Sequence, residues 1–234
     1  MLIQELQSSL QGLPVLKRQS QLIGMLKQFE EKLAIASTRA DRVSARLQGV
    51  SRCFGAVTVD RSKADLTSVR EPLRGAATAA AKAAEKLAKD LEEIKSSDVE
   101  KRFIAIQDYI KSADDRLVTR WKNYIDTFCA AYGQLASAVQ AAHLPGADQI
   151  RVSLAAVSAH AGTPPASREE SDARAAELNA VHNGLKDMGV GTAIGRFLVD
   201  AAAGVADPKA LEDPDVRKFI ENANLWKMLR VKLI

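Results

Sequence analysis

Apolar side chains recur at alternating steps of four and three residues along the first long segment of this 234-residue chain. The members of the repeat are Leu22, Leu26, Phe29, Leu33, Ala36, Ala40, Val43, Leu47 and Val50. A seven-residue repeat held for about four heptads is typical of a coiled-coil seam, because it keeps one edge of a helix against a partner helix. We therefore predict a helix over residues 15–50 that starts at Pro14. The candidate seam residues are Leu22, Leu26, Phe29, Leu33, Val43, Leu47 and Val50.

Two further segments continue the same spacing. The second covers residues 66–94 and carries Pro72, which predicts either a kink or a position in the first helical turn. The third covers residues 97–144 and starts with Ser97 and Glu100 at the spacing of a capping box. Between the first two segments, residues 51–63 break the repeat. We predict a turn there, with a short strand-like alternation at Phe54, Val57 and Val59.

The third segment also contains a stutter, which is two consecutive steps of four residues at Leu117 and Trp121. A stutter locally relaxes the supercoil of a coiled coil. Trp121, Tyr124 and Phe128 follow it, although aromatic residues make up only 5% of the chain. We expect these bulky side chains to gather where the helix packing readjusts.

The predicted fold class is all-α. Three long helices joined by short turns predict antiparallel coiled-coil helices, arranged as a three-helix stalk or a hairpin bundle, over residues 1–145. Residues 146–234 are predicted to form a small, compact helical C-terminal domain. The spacing does not decide whether the hairpin packs within one chain or between chains.

Shorter helices are expected in the C-terminal domain. Predicted segments cover residues 147–160, 168–187 and 190–203, the second of them behind a capping box of Ser167 and Glu170. Two more helices are expected where an aspartate N-cap precedes proline, and these pairs are Asp207 with Pro208 and Asp213 with Pro214. The final residues, NLWKMLRVKLI, fit either a helix or a last strand.

The composition indicates a soluble cytoplasmic chain. Two cysteines, Cys53 and Cys129, form no disulfide framework, which favours a reducing compartment. The N-terminal residues lack the pattern of a signal peptide, and no apolar run approaches the ~18 residues of a transmembrane helix. The net charge of +4 comes from 33 cations against 29 anions, so the chain has mixed charge and is not polybasic.

No motif in the sequence supports catalysis, a metal or a cofactor. The string GVGTAIG at 189–195 lacks the spacing and the preceding strand of a phosphate-binding loop, so we interpret it as a glycine turn with close helix packing. The histidines, His143, His160 and His182, are far apart and lack metal-ligand spacing. Carboxylates at 114–115 and 212–215 fit a solvated helix surface and cap chemistry. The chain is therefore predicted not to be an enzyme and to need no cofactor.

Basic residues line the first helix beside the candidate seam, and these are Lys32, Arg39, Arg42, Arg46 and Arg52. Such a basic stripe fits contact with phosphates of nucleic acid or of another polyanion. However, Lys32, Arg39 and Arg46 recur every seven residues, at a position that commonly pairs with acidic residues of a neighbouring helix. Candidate acidic partners on the second helix are Glu85, Asp90, Glu92 and Glu93. We favour the pairing interpretation.

The sequence therefore predicts a non-enzymatic coiled-coil interaction or assembly subunit of a larger cytoplasmic complex. Its partners would be other proteins or further copies of the same chain, bound through the long helices. The alternative is a module that binds nucleic acid or another polyanion through the basic stripe. Changing Arg39, Arg42 and Arg46 to glutamate would separate the two hypotheses.

Overall fold

A computed structural model describes the backbone of residues 2–57, 65–89 and 96–227. Side chains are described for residues 17–57, 65–86 and 97–226, apart from Val99. Over these ranges all regular secondary structure is helical and no strand occurs. The all-α prediction is confirmed for this part of the chain.

Three long helices come first: α1 covers Leu2–Ala56, α2 covers Thr67–Lys89 and α3 covers Ser96–Ala141. The prediction that α1 starts at Pro14 is wrong, because the helix begins at Leu2. Upstream of Pro14 only Gly12 is a weak helix former, so the preceding residues can extend the helix.

The other end of α1 also differs from the prediction. The helix continues to Ala56, so Phe54 is helical and the expected strand-like alternation is wrong there. The physical reason lies in the spacing, since Phe54 follows Val50 by four residues and Val57 follows Phe54 by three, which extends the repeat. Both side chains are buried. The rest of the predicted turn, residues 58–63 with Val59, lies outside the described residues.

The starts of α2 and α3 lie near their predicted positions, whereas the predicted end of the second helix, at residue 94, lies outside the described residues. Pro72 is the sixth residue of α2, so it stands inside the helix and not in its first turn. The α3 helix begins at Ser96, one residue before the predicted capping-box serine, a difference within the usual uncertainty of helix ends. It ends at Ala141, ahead of a turn in which Gly146 adopts φ 88°.

The C-terminal part of the chain contains the shorter helices that the sequence predicts. These are α4 (Ala147–Ala159), α5 (Arg168–Asp187), α6 (Thr192–Ala202) and α7 (Pro214–Asn222), with 3₁₀ helices at Pro208–Glu212 and Leu225–Lys227. Asp207 therefore introduces a 3₁₀ helix, whereas Asp213 caps an α-helix and accepts hydrogen bonds from the backbone N–H groups of Asp215 and Val216. Residues 228–234, where a helix or a strand was expected, lie outside the described part.

The capping box that precedes α5 is confirmed. Ser167 Oγ accepts a hydrogen bond from the backbone N–H of Glu170 at 3.1 Å. The Glu170 carboxylate in turn accepts one from the backbone N–H of Ala166 at 2.8 Å. These bonds occupy donors that a helix start would otherwise leave without partners.

Contacts divide the chain into two compact units. The first unit comprises Met1–Ser44 and Thr67–Arg116, and the second comprises Ala45–Leu66 and Leu117–Ile234. Parts of α1 and α3 thus belong to the second unit together with the shorter helices. None of the described helices combines the length and apolar content that spanning a membrane requires.

The two units have different cores. In the first unit the buried apolar residues include many small ones, such as Ala36, Ala76, Ala83 and Ala113. In the second unit the largest fully buried side chains are Trp121, Tyr124 and Phe128.

Candidate functional site

The predicted seam residues differ in exposure. Phe29, Val43 and Val50 are buried, as is Ala36, so the buried members recur every seven residues. The predicted seam residues between them are more exposed, with Leu22, Leu33 and Leu47 half-buried and Leu26 exposed. One of the two heptad positions thus lies in the core, while the other lies at its edge.

The basic stripe is divided between the two units. Lys32, Arg39 and Arg42 belong to the first unit, whereas Arg46 and Arg52 belong to the second. The side chains of Arg39, Arg42 and Arg52 are exposed, and those of Lys32 and Arg46 are half-buried. We therefore treat the stripe as two groups of residues.

Lys32 contacts α3. Its Nζ lies 3.9 Å from Glu100 Oε1 and 5.6 Å from the centre of the Phe103 ring. The sequence favoured a pairing role for Lys32, but it named acidic partners on the predicted second helix, of which Asp90, Glu92 and Glu93 lie outside the described residues. Because both charged groups are partly exposed to water, this ion pair adds no more than about 1 kcal/mol. Its main consequence is that Lys32 is engaged within the first unit.

A mixed apolar and basic surface surrounds Ile35, and the sequence analysis did not identify it. Ile35 is 51% exposed and has Lys32 three residues before it and Arg39 four residues after it. Arg42 stands seven residues after Ile35, so all four side chains lie on one side of α1. On α3, Ile104 is 49% exposed and lies one turn after Glu100, the partner of Lys32. We call Lys32, Ile35, Arg39, Arg42 and Ile104 the Ile35 face.

The heptad repeat and the charge pattern, each taken alone, did not predict the Ile35 face. The available signal was an isoleucine out of phase with the heptad and flanked by cations at helical spacing. The repeat identifies the core residues and the cations beside them. An exposed apolar residue such as Ile35 belongs to no repeating apolar pattern.

The second unit contains a continuous aromatic cluster. Ring centroids lie 4.3 Å apart for Phe54 and Tyr124, 6.4 Å for Phe54 and Trp121, and 4.4 Å for Phe128 and Tyr132. The sequence predicted that Trp121, Tyr124 and Phe128 gather, but it placed Phe54 in a turn. Since continuation of α1 brings Phe54 onto them, the cluster depends on contacts about 70 positions apart in sequence, as for Phe54 and Tyr124.

Hydrogen bonds fix the polar atoms of this cluster. Tyr124 Oη donates to the carbonyl oxygen of Val57 at 2.6 Å, just beyond the end of α1, where helix geometry leaves carbonyls without partners. Trp121 Nε1 donates to the carbonyl oxygen of His160 at 2.8 Å. Burial raises the pKa of the Tyr124 hydroxyl, so this group remains a donor. These bonds have a structural role.

Cys53 lies beside the same cluster. Its side chain is fully buried, and its Sγ is 3.5 Å from the carbonyl oxygen of Ser171. Burial raises the pKa of the Cys53 thiol to about 11, despite the opposing effect of Arg174. A reactive cysteine needs a thiolate at neutral pH and access to solvent, and Cys53 has neither property.

Arg174 of α5 connects several residues of the second unit. Its guanidinium lies 6.0 Å from the centre of the Trp121 ring and donates to the carbonyl oxygen of Thr163. Nearby, Glu177 Oε2 lies 3.6 Å from His160 Nε2. Arg174 and Glu177 thus bring α5 into contact with the segment that follows α4.

The glycine-rich string at 189–195 and His182 make packing or hydrogen-bond contacts. Gly189 adopts φ 73°, and a Cβ on Gly195 would lie 3.3 Å from Leu135, which confirms a glycine turn with close helix packing. Tyr132 Oη lies 2.8 Å from His182 Nδ1. Within the described residues, no three histidine, cysteine, aspartate or glutamate side chains are grouped as metal ligands.

The Ile35 face therefore combines exposed cations with exposed apolar side chains on the first unit. Comparisons with protein families, with curated proteins and with solved structures give no significant match to this chain.

Proposed function

We propose that this chain is a non-enzymatic helical interaction subunit that assembles with other protein chains through the long helices of its first unit. The observation that carries the proposal is the exposure of large apolar residues on that unit. On α1 these are Ile23 at 56%, Leu26 at 38% and Ile35 at 51% exposed. Single exposed apolar residues are common on proteins, but Leu26 belongs to the heptad repeat, whose usual role is to contact another helix.

The non-enzymatic part of the proposal rests on how the described polar groups are used. Tyr124 and Trp121 donate to backbone carbonyls, and Arg174 does the same. Cys53 is buried with a raised pKa. In each case the side chain makes its contacts within the second unit.

The proposed arrangement of α2 and α3 is an antiparallel helix pair. Arg116 Nη1 donates to the carbonyl oxygen of Ser68 at 3.0 Å, and a Cβ on Gly75 would lie 2.9 Å from the Tyr109 ring. A later residue of α2 thus meets an earlier residue of α3, which supports opposite directions. The glycine at position 75 allows the Tyr109 ring to lie directly against the α2 backbone.

Sedimentation equilibrium combined with small-angle scattering tests the assembly proposal. The calculated mass of one chain is 25.3 kDa, and we expect a larger, concentration-dependent mass or a stable complex with protein isolated from the native source. Changing Leu26 to glutamate should weaken that assembly. The matched control is Val152→Glu on α4, since Val152 is 57% exposed but lies in the second unit. A compact monomer that forms no complex would contradict the proposal.

A second candidate function is binding of nucleic acid or another polyanion. The observation that favours it is the exposure of Arg39, Arg42 and Arg52. Binding to DNA and RNA should weaken steeply with salt if phosphate contacts dominate. The triple change of Arg39, Arg42 and Arg46 to glutamate should abolish it, so binding that is absent at low salt or unaffected by these changes would exclude this function.

A further inference from the structure

We propose that the Ile35 face binds an acidic amphipathic helix from another protein. Apolar side chains of that helix would cover Ile35 and Ile104, while its carboxylates would pair with Arg39 and Arg42. This inference rests on the proposed assembly function and specifies the chemistry of the partner.

The geometry of α1 suits a partner helix. Lys32, Ile35, Arg39 and Arg42 are separated by steps of three, four and three residues, so they follow one side of the helix. At about 1.5 Å per residue, the line from Lys32 to Arg42 extends roughly 15 Å. A partner helix of about three turns can contact this whole line. Its contacting side chains would also recur at steps of three and four residues.

Arg39 and Arg42 favour an anionic partner at their end of the α1 line, while the exposed Glu31 lies at the other end beside Lys32. Among the described residues, no acidic side chain forms an ion pair with Arg39 or Arg42. Lys32 differs, since it already contacts Glu100 and Phe103. The two arginines, three residues apart, thus match two carboxylates placed about one turn apart on a partner helix.

The exposed isoleucines distinguish a protein helix from a nucleic acid. Ile35 stands one turn after Lys32 and Ile104 stands one turn after Glu100, so both lie close to the ion pair that joins α1 and α3. Phosphates would satisfy the arginines, but a phosphate backbone offers no aliphatic side chain to cover two isoleucines. An amphipathic helix supplies carboxylates and apolar groups together.

An anionic membrane surface is the other partner that offers both kinds of group. Interfacial binding requires a broad apolar face that enters the lipid. On the Ile35 face the apolar residues are two isoleucines on two different helices, with Arg39 beside one of them. This arrangement fits the narrow apolar stripe of a partner helix better than insertion into lipid.

Titration of the full-length chain with synthetic peptides tests the inference. The probe is a 21-residue helical peptide with leucines on one stripe and glutamates beside it. The control peptide has the same composition with the leucines moved off the stripe. Binding is measured by fluorescence anisotropy and mapped by amide chemical shifts of the labelled protein. We expect shifts centred on residues 32–42 and 100–104 with the amphipathic peptide and none with the control peptide.

Variants then assign the binding to the named side chains. Ile35→Ser, and separately the double change Arg39→Gln with Arg42→Gln, should each weaken peptide binding at least tenfold. Matched controls are Val152→Ser and Arg151→Gln, which alter exposed residues of α4 and should change binding less than twofold. Circular dichroism confirms that each variant is folded, and the charge-only variant tests the face even if Ile35→Ser unfolds.

Equal binding of the two peptides, equal effects in the control variants, or no peptide binding would each overturn the inference. It would also be overturned if DNA or phosphatidylserine vesicles bound more tightly than the peptide and the double change Arg39→Gln with Arg42→Gln abolished that binding. Sedimentation of the same samples distinguishes failure of the acidic-helix inference from failure of the proposed assembly function. If assembly persists without peptide binding at the Ile35 face, the acidic-helix inference fails and the assembly proposal stands.

Discussion

The two compact units differ in the apolar residues that they bury and expose. The second unit fully buries Trp121 and Phe128, although Trp226 of the same unit is 45% exposed. The first unit buries many alanines and leaves isoleucines such as Ile23, Ile35 and Ile104 exposed. Since burial of apolar area is the main favourable contribution to folding, the second unit has the stronger internal reason to be stable. Among the described residues, the first unit exposes five large apolar side chains and the second exposes three.

Removing the indole at position 121 should have the largest effect. Trp121 is fully buried beside the Phe54 and Tyr124 rings, and its Nε1 donates to the carbonyl oxygen of His160. We expect Trp121→Ala to lower the free energy of unfolding by about 3–5 kcal/mol, because it leaves a large cavity. Urea denaturation measures the change, with Ile104→Ala on the same helix as the control. Equal losses in the two variants would remove the distinction between the units.

Removing one hydroxyl should have a smaller effect in the second unit. Tyr124→Phe keeps the aromatic ring but leaves the Val57 carbonyl without the hydrogen bond at 2.6 Å. We expect a loss of about 1–2 kcal/mol, since a buried acceptor then lacks its partner. The control is Tyr109→Phe in the first unit, where Tyr109 is 45% exposed and water can replace any lost contact. If both changes have the same small effect, the Tyr124 bond does not stabilise the unit.

Two glycines allow the opposite test, in which a side chain is added. A Cβ on Gly24 of α1 would meet nothing within 4 Å, whereas a Cβ on Gly195 of α6 would lie 3.3 Å from Leu135. Gly24→Ala should therefore raise the free energy of unfolding by about 0.5–1 kcal/mol, because glycine is a poor helix former. Gly195→Ala should gain less or be destabilising. Thermal and urea unfolding of both variants check the order, and a larger gain at Gly195 would contradict it.

Local patterns in the sequence predicted much of this fold. Ser167 and Asp213 identify the starts of α5 and α7, because a helix cap depends on residues only two or three positions away. The start of α1 was misplaced because proline suits both a helix start and, at a cost, a helix interior.

The same local patterns did not predict contacts between segments that are distant in sequence. The packing of Phe54 against Tyr124 joins positions about 70 residues apart, and no local spacing specifies it. The seam illustrates the same limit, since Phe29 is buried while Leu26 is exposed although both fit the repeat. A heptad shows which residues can contact a neighbour, whereas the fold decides which of them do. The Ile35 face was missed for a related reason, because exposure depends on where neighbouring helices lie.

The smallest expected change in stability is at the Ile35 face. Ile35→Ala and Ile104→Ala remove side chains that are about half exposed, so each should alter the free energy of unfolding by less than about 0.5 kcal/mol. The same two variants should nevertheless weaken the binding of a partner helix, because the removed methyl and methylene groups would be covered only in the complex. Urea denaturation and peptide titration of each variant therefore have to be read together. Unchanged stability with weakened peptide binding would support a role of these isoleucines in binding a partner. A decrease of about 2 kcal/mol or more in the free energy of unfolding would show that they belong to the core and would contradict the contrast between the two units.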